Sequence, residues 1–260
     1  MEVFGYVASV FIGLVLGLLG GGGSILSIPI LVYPFAIEPV RASAYSLFIV
    51  GITSLFGAIP KYREGLVNLR TGILFGIPSI ISIFATRRWL VPAIPEILFQ
   101  SDDVIITKRM LLLGVFAILM ILASIPMIRK GNEPVAGDRK FKTFQVFVQG
   151  TFIGFLTGLV GAGGGFLIIP ALVFLTGLSF KTAAGTSLFI ITINSLIGFL
   201  GDALNYSMDW GFLLSITSLS IVGIVIGNRL SRLIEGTKLK QGFGWLILVM
   251  GFYIILRETI

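Results

Sequence analysis

Eight stretches of the chain run for 16 residues or more without Asp, Glu, Lys or Arg: 3–37, 42–60, 71–86, 110–128, 143–180, 182–201, 210–228 and 241–256. A helix needs about 20 apolar residues to cross a hydrocarbon core about 30 Å thick, and about 17–25 are tolerated. Six of the stretches therefore predict single spanning helices, the shorter two borrowing a flanking residue or two. Stretches 3–37 and 143–180 hold 35 and 38 residues, too many for one straight crossing and slightly too few for two with a turn. Each has a glycine cluster near its middle, Gly20-Gly21-Gly22-Gly23-Ser24 and Gly161-Ala162-Gly163-Gly164-Gly165, followed by a proline, Pro29 or Pro170. Both are predicted to break at the glycines. The pattern predicts an all-α polytopic membrane protein, one membrane domain over 1–260, with a partly polar loop at 87–109.

The two clusters are copies of one unit. A shift of 141 residues aligns 11–57 with 152–198 without a gap, and 22 of the 47 positions are identical, against about four expected by chance for so biased a composition. Gly17, Gly20, Gly22, Gly23 and Pro29 match Gly158, Gly161, Gly163, Gly164 and Pro170. Ser46-Leu47-Phe48-Ile49 matches Ser187-Leu188-Phe189-Ile190, and Ser54-Leu55 matches Ser195-Leu196. Two homologous repeats of four hydrophobic segments are expected, 1–128 and 143–260, joined by a polar linker at 129–142. Internal duplication of this kind is typical of secondary transporters.

Composition agrees with a membrane solvent. Hydrophobic residues make up 56% and charged residues 12% of the chain, about half the charge of a soluble protein. Cys and His are both absent, which excludes a disulfide framework, a thiolate nucleophile, a zinc site and a Ser-His triad. The net charge of +7 lies in short loops between apolar runs, so it is a topology signal and not a nucleic-acid footprint. The amino-terminal segment carries Glu2 and a long apolar run, unlike a cleavable signal peptide.

Charge also separates two topologies. If each glycine-split segment crosses once, the 19 Lys and Arg divide 9 to 10 between the two faces. If each enters and turns back, they divide 13 to 6, with 61, 63, 70, the 129–142 linker, 181, 229, 232, 238 and 240 on the richer face. The positive-inside rule favours the second arrangement, with that face and the linker cytoplasmic. Three full spans per half then make the repeats inverted.

A glycine cluster at membrane depth bares backbone N–H groups, tolerated only where they are buried in protein or line a cavity. A helix restarting there offers unpaired donors and the positive end of its dipole, which suits an anion. The candidate substrate-binding residues are Gly21, Gly22, Gly23 and Ser24 with Gly163, Gly164 and Gly165. Ser46, Thr53, Thr186, Ser187 and Asn194 are candidate neutral donors from the helix that follows each cluster. No fixed cation is expected among them, and Asp202 and Asp209 are expected to be solvated at loop ends. The alternative for the glycines is close helix packing, as small residues provide in membranes.

The sequence Gly-Leu-Leu-Gly-Gly-Gly-Gly-Ser-Ile-Leu-Ser-Ile-Pro at 17–29 and Gly-Leu-Val-Gly-Ala-Gly-Gly-Gly-Phe-Leu-Ile-Ile-Pro at 158–170 resemble the twin signatures of the sulfite exporter TauE/SafE family. Ala183-Ala184-Gly185-Thr186-Ser187-Leu188 is similar to that family's small-residue-Thr-Ser block, whereas the first half departs from it with Ala42-Ser43-Ala44-Tyr45-Ser46. The resemblance implies secondary transport of a small sulfur-containing anion (sulfite, sulfoacetate or another organosulfonate, or thiosulfate) across the cytoplasmic membrane. No cofactor is expected, and the expected partners are the small anion and the lipid bilayer, without nucleic acid; the sequence leaves the oligomeric state open. Two other classes stay open: a passive anion channel with the same glycine-lined site, and an intramembrane enzyme, which the lack of His, Cys and paired carboxylates within a span disfavours.

Overall fold

Both long charge-free stretches break at their glycines. The computed structural model describes residues 2–100, 105–129, 143–161, 164–204 and 208–259. Its helices are α1 (Glu2–Leu19), α2 (Gly23–Val32), α3 (Pro39–Arg63), α4 (Leu69–Ala85), α5 (Val91–Ala93), α6 (Lys108–Ile128), α7 (Thr143–Val160), α8 (Gly165–Thr176), α9 (Phe180–Ala203), α10 (Trp210–Leu233) and α11 (Gly236–Thr259). With 10 and 12 residues, α2 and α8 reach only about 15 and 18 Å at 1.5 Å per residue. Neither can cross a bilayer.

The starts of the central helices are written into the sequence as caps. The Glu38 carboxylate accepts from the Val40 and Arg41 N–H groups, and Pro39 occupies the first turn of α3. Ser179, 141 residues on, caps α9 through the Thr182 N–H. Asn68 and Asp209, again 141 apart, cap α4 and α10 through the Thr71 and Phe212 N–H groups. Such caps satisfy donors that a helix start leaves without an intrahelical partner.

Helix directions follow from the glycine contacts. Gly13 and Gly17 of α1 pack on Ser220 and Ile224 of α10, and Gly223 and Gly227 of α10 pack on Val10 and Leu14, so these two helices run parallel. The same holds for α7 and α4, where Gly150, Gly154 and Gly158 meet Phe75, Ser79 and Thr86. In contrast α3 and α9 are antiparallel, Gly51 facing Ser195 and Gly57 facing Leu188. So are α6 and α11, Gly244 facing Ile128 and Gly251 facing Ile121. A short loop reverses the chain between α3 and α4, and α10 starts beside the first turns of α3, the Asp209 N–H donating to the Tyr45 hydroxyl at 3.0 Å, so α10 runs antiparallel to α9. Hence α1 and α3 start from one end of the bundle, and α7 and α9 start from the other. Each glycine-split segment enters and returns. The first turns back on itself visibly, with Gly23 against Ile12 and Leu16, and Phe35 against Gly5 and Tyr6.

Among the described residues, six helical segments are long and apolar enough to cross a membrane. Among them α3 and α9 are 72% buried over their most apolar window, against 39–44% for the others, so this antiparallel pair is the centre of the bundle. Wrapped beside it, Ile25, Ile28 and Leu31 of α2 and Phe166, Ile169 and Leu172 of α8 are fully or almost fully buried. Helices apolar all round belong in such interior positions. The outer faces of α4, α6, α10 and α11 present Ile77, Ile81, Ile118, Leu122, Leu214, Val222, Val249 and Phe252 to lipid.

The expected loop at 87–109 is not a loop throughout. Helix continues from Leu69 to Ala93 through a π-helical turn at Thr86–Leu90, and β1 (Ile97–Gln100) and β2 (Ile105–Thr107) then form an antiparallel hairpin. The helix passes the charge because Arg87 is fully buried and ion-paired within the bundle. Residues 130–142 of the expected linker lie outside the described residues.

Candidate functional site

The two broken helices meet. A Cβ built on Gly21 would lie 2.7 Å from the Gly165 carbonyl oxygen, and one built on Gly165 would lie 2.7 Å from the Gly21 Cα. Only glycine allows main chain to approach main chain this closely. Gly20 and Gly164, at φ +76° and +72°, occupy left-handed backbone that other residues rarely adopt, and they set the turns that let each chain reverse. Gly165 opens α8, and α2 begins two residues after Gly21, so both half-helices start at or next to this junction.

Part of their donor capacity is already used. The Ser24 and Ile25 N–H groups bond the Gly21 and Gly22 carbonyls at 3.3 and 3.1 Å, and Leu167 and Ile168 bond the Gly164 carbonyl at 2.9 Å. The helical ladder supplies no acceptor for the N–H groups of Gly22 and Gly23 at the start of α2, or of Gly165 and Phe166 on α8. Those four are the donors an anion could use.

The expected hydroxyls divide into two sets. The Ser24 hydroxyl donates to the Gly21 carbonyl at 2.7 Å, and Ser27 donates to the Ser24 carbonyl at 2.8 Å. Ser27 also meets Ser46 of α3 at 2.5 Å between oxygens. Ser187 of α9 donates to the Gly20 and Ala184 carbonyls at 2.7 and 2.8 Å. Ser24 and Ser187 thus brace the first glycine turn directly, and Ser46 is linked to it through Ser27. Thr186 points elsewhere, accepting from the Asn68 N–H in the α3–α4 loop. Asn194 donates to Ser79 of α4 at 2.6 Å, which leaves its carbonyl oxygen without a partner, and the buried Thr53 hydroxyl also has none. Gly163 lies outside the described residues.

The second turn has charged company that the sequence did not reveal. Arg87 stands directly against Gly161, where an added Cβ would overlap its guanidinium. It donates to the Ser43 hydroxyl at 2.8 Å and pairs with Asp202 at 3.2 Å. Arg87 and Asp202 are 0% and 1% exposed at their side chains, so the expectation of a solvated Asp202 is corrected, and so is that of a site with no fixed cation. Asp209 does stay exposed. Thr157 of α7, also buried, lies against Gly164, and its hydroxyl has no hydrogen-bond partner. Arg87 and Asp202 sit at the edges of charge-free stretches, where a charge reads as a loop residue. The offset of 141 hints at their places, since it maps them onto Asn228 and Lys61, which are themselves buried.

A family model described as sulfite exporter TauE/SafE matches residues 6–254. The chain belongs to that family. Its relatives include a probable membrane transporter protein of Xylella fastidiosa, 28% identical over 254 residues that cover 95% of this chain and 92% of the relative. The probable membrane transporter protein YunE of Bacillus subtilis is 24% identical over 275 residues, covering 96% and 97%. One from Methanocaldococcus jannaschii is 25% identical over 265 residues, covering 95% and 94%. As a TauE/SafE member with six membrane-length helices, the protein is a multi-pass membrane transporter and not an enzyme.

Proposed function

We propose that this transporter moves a small sulfur-containing anion by alternating access, binding it at the first turns of α2 and α8 between two inverted repeats. The junction of Gly21 with Gly165 carries this reading. Helix N-termini that meet at the centre of a bundle supply N–H donors and positive dipole ends without a strong fixed charge on the first half-helix. Broken helices at a repeat interface are the common binding architecture of secondary transporters. The main-chain contact also favours a transporter over a channel, because the half-helices must part before an anion can pass.

The parallel and antiparallel helix pairs are those that inverted repeats related by an offset of 141 require. Among the described basic residues, nine lie toward the face with the α3–α4 loop and six toward the other, and this excess argues that the first face is cytoplasmic. Single cysteines at exposed positions 63 and 235 should then resist an impermeant thiol reagent in whole cells, while one at 96 should react. The chain has no native thiol to interfere.

The function is tested in proteoliposomes. Purified protein should accumulate sulfite, thiosulfate or sulfoacetate, saturably, when a gradient of a second ion drives it. Uptake that only equilibrates would establish a channel, and uptake no greater than in protein-free liposomes for all three would refute the sulfur-anion reading.

A further inference from the structure

At the second hairpin, a fully buried cation, a buried hydroxyl without a partner and the free first turn of a half-helix surround one glycine turn. Arg87 comes from the π-helical turn after α4, Thr157 from α7 and Ser43 from α3. They approach the turn at Gly161 and Gly164, and Asp202 of α9 closes the set by pairing with Arg87 at 3.2 Å. A buried Arg is costly unless a counter-charge accompanies it. A π-turn inside a helix frequently marks a functional site.

The set is not duplicated. A shift of 141 maps Arg87 to Asn228, Asp202 to Lys61, Ser43 to Ala184 and Thr157 to Leu16. Asn228 donates to the Gly57 carbonyl at 3.3 Å, and Lys61 donates to Ser231 at 2.7 Å, with Glu64 3.9 Å away. The first hairpin has no guanidinium–carboxylate pair at the mapped positions, and the ion pairs near it, Glu64 with Arg232 and with Lys61, are partly exposed and not fully buried.

We propose that Arg87, Thr157 and Ser43 form the charged half of the anion site beside the first turn of α8, and that Asp202 is a resident counter-anion which the transported anion displaces from Arg87. This rests on the reading that the chain carries an anion, and it adds the residue that selects charge. A guanidinium presents planar, paired N–H donors suited equally to a carboxylate and to an oxyanion. With the site empty, Asp202 keeps Arg87 neutralised. When an oxyanion takes that place, Thr157 can donate to it, as can the Gly165 and Phe166 N–H groups. An internal competitor weakens binding, which lets the anion leave on the other side.

The test measures anion-induced thermal stabilisation of purified protein at constant ionic strength, with sulfite, thiosulfate and isethionate against nitrate, phosphate and acetate. Asp202→Asn should raise apparent affinity several-fold. Arg87→Gln combined with Asp202→Asn removes both charges together and should weaken anion stabilisation at least tenfold. Thr157→Val should weaken it about two- to tenfold, the scale of one neutral hydrogen bond. Wild-type affinity in the double variant would overturn the proposal. Should the double variant fail to fold, Arg87→Lys keeps the charge but loses the planar fork, and wild-type affinity in both Arg87→Lys and Thr157→Val would overturn it equally. A wild type stabilised only by a non-sulfur anion, with the effect lost in the double variant, would uphold this assignment and refute the sulfur substrate. No stabilisation of wild type by any of the six would refute both.

Discussion

Gly21→Val and Gly165→Val should each cut transport to a few per cent of wild type or less, while Gly114→Val leaves it near normal. A Cβ at either of the first two positions meets main-chain atoms of the opposite half-helix at 2.7 Å, and main chain cannot rotate aside as a side chain can. Overpacking of this kind costs typically about 1–3 kcal/mol, and here it forces apart the two helix ends proposed to hold the anion. An added Cβ at Gly114 of α6 meets nothing within 4 Å, so the same substitution there reports only the expense of Val in a helix. Gly5 would be a poor control although it lies outside the matched repeat, because its Cβ would strike the Phe35 ring. Uptake by variants of equal expression and monodispersity checks the expectation. Normal transport by both Gly21→Val and Gly165→Val would mean that the glycines serve packing alone.

The second large effect concerns stability. Arg87→Ala or Asp202→Ala leaves a buried partner charge uncompensated, which typically costs about 3–5 kcal/mol. At about 2–4 °C per kcal/mol for a chain of this size, the apparent Tm should fall by on the order of 10 °C. Changing Arg87→Gln and Asp202→Asn together should cost much less, since no lone charge remains. A double variant as unstable as the worse single one would show that the two side chains do not act as a pair. The Lys61→Met variant should be milder, because Lys61 is linked to a hydroxyl and, at 3.9 Å, to a partly exposed Glu64 that Arg232 also neutralises.

Much of the fold was legible because the bilayer leaves a chain few options. Charge-free length separated the six spanning segments from the two split ones, and the 13 to 6 division of basic residues pointed to hairpins that turn back. The caps at Glu38, Asn68, Ser179 and Asp209 occur at the spacing of the duplication and mark the helix starts. Less of the site could be read. Ser24, Ser46 and Ser187 do gather at the first turn, yet Thr186 caps a distant loop, because a one-residue step on a helix swings a side chain by about 100°. Arg87 and Asp202 are 115 residues apart, and each lies at the end of an apolar run. There local pattern cannot distinguish a solvated charge from one half of a buried pair. Thr157 was hidden for a different reason: a lone membrane Thr ordinarily bonds its own preceding turn, and only the structure reveals that this hydroxyl does not.

The location of the anion can be measured directly. Selenite carries the charge and pyramidal shape of sulfite, and the chain contains no selenium of its own, so anomalous diffraction from crystals grown with selenite would mark the bound atom. The expected result is one strong peak beside the Gly21–Gly165 junction, within hydrogen-bonding reach of the Gly165 and Phe166 N–H groups and the Arg87 guanidinium. A well-occupied peak elsewhere in the bundle, with none at the junction, would contradict the account.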